Sequence, residues 1–155
     1  MLWKGMNIAM LMGIIIALIS GTLMSVQGVF NSEVTRQTSV WVSASFVQFT
    51  ALIVCLLAWF FTGREGSFGE LFAVRPLYML TGGVAGAFIT YTVIQSMQSL
   101  GPARAVIFIV CMQLLAAYLI EVFGLFGVEK VPFELKKLAG LAIIIAGIII
   151  FKWKK

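Results

Sequence analysis

Residues 102–124 decide the fold and read Pro102-Ala-Arg-Ala-Val-Ile-Phe-Ile-Val-Cys-Met-Gln-Leu-Leu-Ala-Ala-Tyr-Leu-Ile-Glu121-Val-Phe-Gly124. An apolar run of about 20 residues is long enough for a helix to cross a bilayer. Glu121 stands inside this run, whereas we expect the other acids of the chain to fall in loops. Whether Glu121 is structural or functional depends on the solvent around the run, which the composition of the chain indicates.

The composition places the chain in a membrane. It has 155 residues, of which 61% are hydrophobic and 11% charged, and its mean hydropathy is +1.07. A soluble domain is usually about 45–50% apolar and about a quarter charged. Because so few polar side chains cannot form a water-compatible surface, we predict an integral membrane protein with the lipid bilayer as a partner.

The charged and reactive residue types exclude several functions. The formal net charge of +5 comes from basic residues that lie singly or in pairs between apolar runs, with no basic face for nucleic acid. The absence of histidine excludes a histidine-based metal site and a Ser/His/Asp triad. Cys55 and Cys111 stand in mid-run, so we predict buried thiols rather than a disulfide. We expect no enzyme, no cofactor and no metal.

Five apolar segments predict five transmembrane helices in one all-α membrane domain. The predicted spans are approximately residues 6–30, 40–61, 76–100, 102–126 and 132–153 of the single domain 1–155. The first segment is interpreted as a retained span because it is too long for a signal peptide and lacks an A-x-A site. Pro76 and Pro102 suit first helical positions, where the missing N–H would be unpaired in any case. The connection 65–75 carries most of the loop charge.

Lysine and arginine leave the orientation in the membrane almost unspecified. An odd number of spans places six of them on one side and five on the other. The six on the N-terminal side are Lys4, Arg64, Arg75, Lys130, Lys136 and Lys137. The five on the opposite side are Arg36, Arg104, Lys152, Lys154 and Lys155. Because a bias of one residue barely specifies topology, the sequence permits an antiparallel dimer of two inverted copies; alternatively, the last lysines mark a cytoplasmic C-terminus.

Polar side chains recur on the predicted helix faces. In the first span, small residues at 13, 17 and 20 share a face with Met24, Gln27 and Asn31, since successive positions are three or four residues apart. Small residues favour close helix packing, whereas amides in hydrocarbon must pair across helices or face a wet cavity. We predict that polar residues from four spans line a solute site. The candidate substrate-binding residues are Gln27, Asn31, Gln48, Tyr91, Gln95, Gln113 and Glu121.

The fifth span has the pattern of a packing helix. Gly140 and Gly147 are seven residues apart on one face, and no polar residue interrupts the apolar run around them. We predict a dimer interface formed by Gly140, Ile144 and Gly147.

The order of these features resembles the YdcZ-like family, five-span, half-size members of the drug/metabolite transporter superfamily. The resemblance covers nearly the whole chain and implies an exporter in a bacterial inner membrane. It is carried by Gln27 with Asn31, Gly82-Gly83 with Gly86, Leu100-Gly101, Gln113 and the run Ile120 to Phe126. Because larger members are similar to two such units in inverted repeat, it also implies a homodimer or a pair with a sister five-span subunit.

Two departures limit what the resemblance implies about ion coupling. Small multidrug resistance transporters, whose dimerisation segment is similar to residues 140–148, carry a proton-exchanging glutamate in the first helix, where this span has Gln27. In the family pattern an aspartate followed by a histidine usually stands at the position of Glu121, where this chain has Glu-Val. Proton exchange therefore cannot simply be carried over.

The leading interpretation is a transporter subunit that opens a site near mid-membrane alternately to each side. The amides would orient a small solute, such as a metabolite or drug-like compound, Tyr91 would supply an aromatic face, and Glu121 would balance a cation. The alternatives are a dual-topology ion channel and a structural or accessory membrane subunit. Glu121 has a structural alternative as well, an ion pair with Lys130, Lys136 or Lys137 near the membrane edge.

Overall fold

The computed structural model describes residues 8–152, apart from the side chains of Leu141, Ile148, Ile149, Phe151 and Lys152. Every regular element in this range is a helix. The α-helices are α1 (Ile8–Gln37), α2 (Val40–Phe61), α3 (Gly82–Leu100), α4 (Pro102–Phe123) and α5 (Leu135–Lys152). Short 3₁₀ helices cover Phe68–Ala73, Leu77–Thr81 and Leu125–Gly127. Met6 and Trp153, at the outer ends of the first and last predicted spans, lie outside the described residues, as do Lys4, Lys154 and Lys155.

Four segments are long and apolar enough to cross a membrane. They are Ile8–Gln37, Val40–Phe61, Leu77–Leu100 and Pro102–Phe123. The all-α class is therefore confirmed for the described residues, together with four candidate spans. The segment α5 is not among the four, so its crossing stays a prediction.

The first helix is longer than its predicted span. It continues past Phe30 to Gln37, so that Glu33, expected in a loop, lies within the last turns of α1. There its carboxylate accepts hydrogen bonds from Arg36 at 3.4 Å and Gln37 at 3.3 Å. Pairs at these spacings stabilise a helix in water, so the helix does not have to end where the apolar run ends. A new helix begins almost at once, because the hydroxyl of Ser39 caps α2 by accepting from Val42 N.

The two prolines that were expected at first helical positions behave differently. Pro102 is the first residue of α4, as predicted. Pro76 instead precedes a 3₁₀ helix with an extended backbone (ψ 150°), and α3 begins only at Gly82. In this 3₁₀ turn the Thr81 hydroxyl donates to the Tyr78 carbonyl at 2.6 Å.

The chain forms two compact units, Met1–Ser99 and Leu100–Lys155. In the first unit, α1, α2 and α3 pack through small residues. The buried Ser43 hydroxyl of α2 donates to the Asn31 carbonyl of α1 at 3.0 Å. At Gly28 of α1, an added Cβ would lie 2.8 Å from the Met97 sulfur of α3, so a side chain here would displace the end of the methionine. Ile94 and Met97 are the largest side chains buried on α3.

In the second unit, α4 and α5 form a hairpin with a firmly bonded turn. Gly124 ends α4 in the left-handed conformation (φ 63°), in which glycine is unstrained. The Val131 N–H then donates to the Glu121 carbonyl at 3.0 Å. Just before α5, the Tyr118 hydroxyl donates to the Glu134 carbonyl at 3.2 Å and accepts from the Glu134 N–H at 3.0 Å. The turn is thus bonded back to the last two turns of α4.

Candidate functional site

A groove between α1 and α2 brings two of the candidate substrate-binding residues together. Gln27 and Asn31, one helical turn apart, lie on the same wall of this α1–α2 groove, which has a volume of about 610 Å³. The other lining residues are Leu23, Met24, Val26, Phe30, Val47, Thr50, Ala51, Val54 and Cys55. None of the lining residues carries a charge. The groove is therefore an apolar surface with two neighbouring amide side chains on its α1 wall.

The two amides differ in exposure but share one property. Gln27 is exposed, whereas Asn31 is 7% exposed and fixed by the Ser43 bond to its backbone carbonyl. Among the described residues, neither amide side chain has a hydrogen-bond partner. The hydroxyl of Thr50 in the opposite wall already donates within its own helix, to Phe46 O at 2.9 Å. Gln27 and Asn31 are therefore the groove's available hydrogen-bonding side chains.

Gln48 does not belong to the α1–α2 groove and instead bridges α2 and α3. Its Nε2 donates to the Thr90 hydroxyl across 3.5 Å, and that hydroxyl donates in turn to the Gly86 carbonyl at 3.0 Å. A Cβ at Gly86 would lie 3.5 Å from the same Nε2. Gln48 is half-buried in this contact between α2 and α3. Its hydrogen bond to Thr90 is weak, because 3.5 Å is at the long limit of hydrogen-bond length.

Tyr91 has its ring covered by a neighbour that the sequence did not reveal. Trp41 of α2 stacks on it with 4.8 Å between ring centroids and 21° between planes. One aromatic face is thus unavailable to a solute, and 56% of the Trp41 side chain is exposed in its place. Gln95 is exposed on α3 and lies outside the α1–α2 groove.

In the second unit, Glu121 lies beside a lysine. Its Oε2 is 3.9 Å from Lys137 Nζ, which also lies 5.7 Å from the centre of the Tyr118 ring. Both charged side chains are roughly half exposed, at 46% for Glu121 and 40% for Lys137. An ion pair of this kind contributes little to stability, but Lys137 is one of the three partners that the sequence offered for Glu121. Gln113 is exposed on the same helix.

A groove between α4 and α5 contains two of the predicted dimer-interface residues. Its volume is about 360 Å³. The residues that line it are Leu114, Ala117, Tyr118, Glu121, Lys137, Gly140 and Ile144. At Gly140 and at Gly147, an added Cβ would meet no atom of the described residues within 4 Å. This face of α5 is open.

The thiols and the metal-ligating residue types form no centre in the part of the chain that the structure describes. No group of three or more Cys, Asp or Glu side chains between residues 8 and 152 lies close enough to hold a metal ion. Both cysteines are free thiols. Cys55 is exposed rather than buried as predicted, because its side of α2 forms an open wall of the α1–α2 groove. Cys111 is half-buried on α4.

Comparison with known proteins identifies the family. A family model named DMT_YdcZ, described as "Putative inner membrane exporter, YdcZ", matches residues 12–150. No curated protein and no solved structure matches the chain significantly. The family model extends from α1 to α5 and confirms the resemblance predicted from the order of the amides and glycines. The chain belongs to the DMT_YdcZ family and is a multi-pass protein of the inner membrane.

Proposed function

We propose that the chain is the protomer of an inner-membrane exporter that moves a small, uncharged solute by alternating access. The observation that carries the proposal is the α1–α2 groove, whose apolar wall contains two amides without a hydrogen-bond partner in the described part of the chain. Small-molecule sites commonly combine an apolar lining with a few polar groups that fix orientation. In a transporter, such a site has to bind the solute weakly enough to release it on the other side.

The absence of charge along the groove supports an uncharged solute. A charged solute that leaves water needs a counter-charge, because an isolated ion in a low-dielectric site is strongly destabilised. No lining residue of the α1–α2 groove is ionisable apart from the thiol of Cys55. The Glu121 carboxylate, which would have balanced a cation, has Lys137 beside it. We therefore propose that Gln27 and Asn31 orient the solute and that Glu121 pairs with Lys137 rather than with the solute.

We further propose that the exporter is an antiparallel homodimer joined along α5. Three features support this arrangement: the resemblance to half-size transporters, the basic residues divided six to five, and the Gly140–Gly147 face of α5, where the described residues leave space. The surface of the first unit supports it as well, because the α1–α2 groove is open along one side and needs a cover of lipid or protein to exclude water.

Export is tested in cells that produce either the wild-type protein or a groove variant. The cells are exposed to a panel of growth-inhibiting compounds that includes uncharged and cationic members. We expect cells with the wild-type protein to tolerate uncharged compounds. Gln27→Leu should raise the compound concentration at half-maximal export about two- to tenfold, because the solute loses one hydrogen bond. Gln98→Leu is the matched control, an exposed amide of α3 outside the groove. Tolerance confined to cations, or equal loss in both variants, would contradict the proposal.

The dimer is tested by cysteine cross-linking in a background that carries Cys55→Ala and Cys111→Ala. An antiparallel interface centred between Gly140 and Gly147 joins Gly140→Cys of one copy to Gly147→Cys of the other. A parallel interface joins each variant to itself. Ile144→Cys is the matched control because it lies near the centre and cross-links in both arrangements. Like-with-like products from the two outer positions would refute the antiparallel dimer, and no product from Ile144→Cys would refute the homodimer.

A further inference from the structure

Residues 62–76 connect two candidate membrane spans, and we call them the α2–α3 connection. The preceding span ends at Phe61 and the next begins at Leu77. Two consecutive spans cross the membrane in opposite directions, so the segment that joins them lies at one membrane surface. The sequence describes this segment as a charged loop, but the structure gives it an ordered backbone and an apolar face.

The backbone of the connection is hydrogen-bonded from within. Ser67 and Glu70 form a capping box, in which Gly69 N donates to the Ser67 hydroxyl at 3.1 Å and Ser67 N donates to the Glu70 carboxylate at 3.2 Å. At the other end, the Arg75 guanidinium donates to the carbonyls of Phe72 at 2.9 Å and Val74 at 2.8 Å. Polar backbone groups that are satisfied in this way can leave water at low cost.

The connection is also attached to the end of α2. The Trp59 indole N–H donates to the carbonyls of Glu65 at 3.2 Å and Gly66 at 3.4 Å. The Trp59 ring meets the Phe68 ring edge-on, with 5.0 Å between centroids. Tryptophan favours the membrane interface, where its ring is in an apolar region and its N–H has a polar partner. These contacts hold Phe68 at the depth of Trp59.

The outer face of the connection is apolar. In the 3₁₀ helix Phe68–Ala73, side chains three residues apart are aligned, so Phe68 lies above Leu71, and Phe72 lies a third of a turn away on the neighbouring side. These three side chains are 53%, 48% and 83% exposed, respectively. Glu70 falls on the remaining side, where the capping box holds its carboxylate.

The charges of the connection balance, and three of the four charged side chains are held locally. It contains two arginines, Arg64 and Arg75, and two glutamates, Glu65 and Glu70. The Arg64 guanidinium lies 4.6 Å above the Phe60 ring, and Arg75 is bonded to the backbone of the connection itself. With no net charge to attract anionic lipid, the apolar face is the feature that a membrane surface would recognise.

We propose that the α2–α3 connection lies in the headgroup region of the bilayer and inserts Phe68, Leu71 and Phe72 between the lipids. Lipid is the occupant that fits best, because the face continues directly from the lipid-spanning end of α2 and begins beside an interfacial tryptophan. In this position the connection fixes the depth at which α2 ends and the next span begins. The inference is independent of the proposed transport function.

The test measures how deep a spin label lies in vesicles of phosphatidylethanolamine and phosphatidylglycerol that contain the full chain. Phe72→Cys is labelled in the background that carries Cys55→Ala and Cys111→Ala, and collisions with oxygen and with a water-soluble nickel complex are compared. We expect the label at position 72 to collide with oxygen and to lose its nickel collisions. A label on Glu65→Cys, the matched aqueous control, should collide with nickel freely.

Two outcomes would overturn the proposal. Nickel collisions at position 72 equal to those at position 65 would place the connection in water. A label shielded from both reagents would place it against protein, for example a second copy of the chain. Leu71→Cys provides a second label on the same face, and a native circular dichroism spectrum verifies that each variant is folded.

Discussion

The hydrogen bond from Ser43 of α2 to the Asn31 carbonyl of α1 determines how Thr35→Val affects stability. The substitution should stabilise the wild type and destabilise a Ser43→Ala variant. Ser43 donates to the Asn31 carbonyl, which is also the acceptor that a threonine at position 35 would use within its own helix. Thr22 of α1 and Thr38, which directly follows α1, bond in this way, at 3.0 and 2.8 Å. The Thr35 hydroxyl instead is buried without a hydrogen-bond partner among the described residues. Two hydroxyls therefore compete for one carbonyl.

The magnitudes follow from the change in hydrogen bonds. In the wild type, Thr35→Val removes a buried hydroxyl that has no partner and should raise the free energy of unfolding by about 1 kcal/mol. In a Ser43→Ala background, the Asn31 carbonyl is released and Thr35 can donate to it. There Thr35→Val removes a bond and should lower the free energy of unfolding by about 1 kcal/mol. The coupling between the two positions is thus about 2 kcal/mol, within the range for residues that share a partner.

The assay is equilibrium unfolding in mixed detergent micelles, followed by circular dichroism, for the four chains of this double-mutant cycle. Ser43 is 1% exposed, and alanine fits its site without a new contact. Thr22→Val in both backgrounds is the control, because Thr22 bonds to Leu18 and should show additive effects. The reasoning is refuted if Thr35→Val changes stability in the same direction in both backgrounds.

Three further predictions concern single side chains. Gly28→Val should lower the free energy of unfolding by about 1–3 kcal/mol, because its side chain would enter the space of a buried methionine. Gly13→Val should leave it nearly unchanged in the same micelle assay, because a Cβ at position 13 has no described atom within 4 Å. Tyr118→Phe should remove both bonds to Glu134 and lower stability by about 1–2 kcal/mol, and faster tryptic cleavage in the turn before α5 would reveal it; unchanged cleavage would contradict the role given to this hydroxyl. Glu121→Gln should change the free energy of unfolding by less than about 1 kcal/mol, because the ion pair is half exposed. It should also leave export and the pH dependence of export unaltered. A loss of export would make this carboxylate part of the transport site.

Local signals in the sequence were sufficient for some helix ends but not for all. Pro102 opens α4 as predicted, because a proline at the first helical position acts through neighbouring residues alone, whereas Pro76 precedes a 3₁₀ helix. The end of α1 was not predictable from hydropathy, since Glu33, Arg36 and Gln37 continue the helix beyond the apolar run. A helix can therefore be longer than the part of it that crosses the membrane.

The candidate site was predictable only where its residues share one helix. Gln27 and Asn31 are four residues apart, and the helical repeat alone places them together in the α1–α2 groove. The contact of Gln48 with Thr90 joins residues that are 42 positions apart, and periodicity contains no information about it. The stacking of Trp41 on Tyr91 was also not predictable. The sequence pattern of a helix shows which residues share a face, but not which residues of another helix that face contacts.

The bonded turn between α4 and α5 has a mechanical consequence. Tyr118 and Glu121 of α4 hold Glu134 and Val131 of the turn through three hydrogen bonds, and Lys137 in the first turn of α5 lies beside the Glu121 carboxylate. Because of these bonds, a displacement of α5 near this end also moves α4, and the two helices tilt together as one rigid hairpin. Any partner that binds the open glycine face of α5 would thus steer both helices.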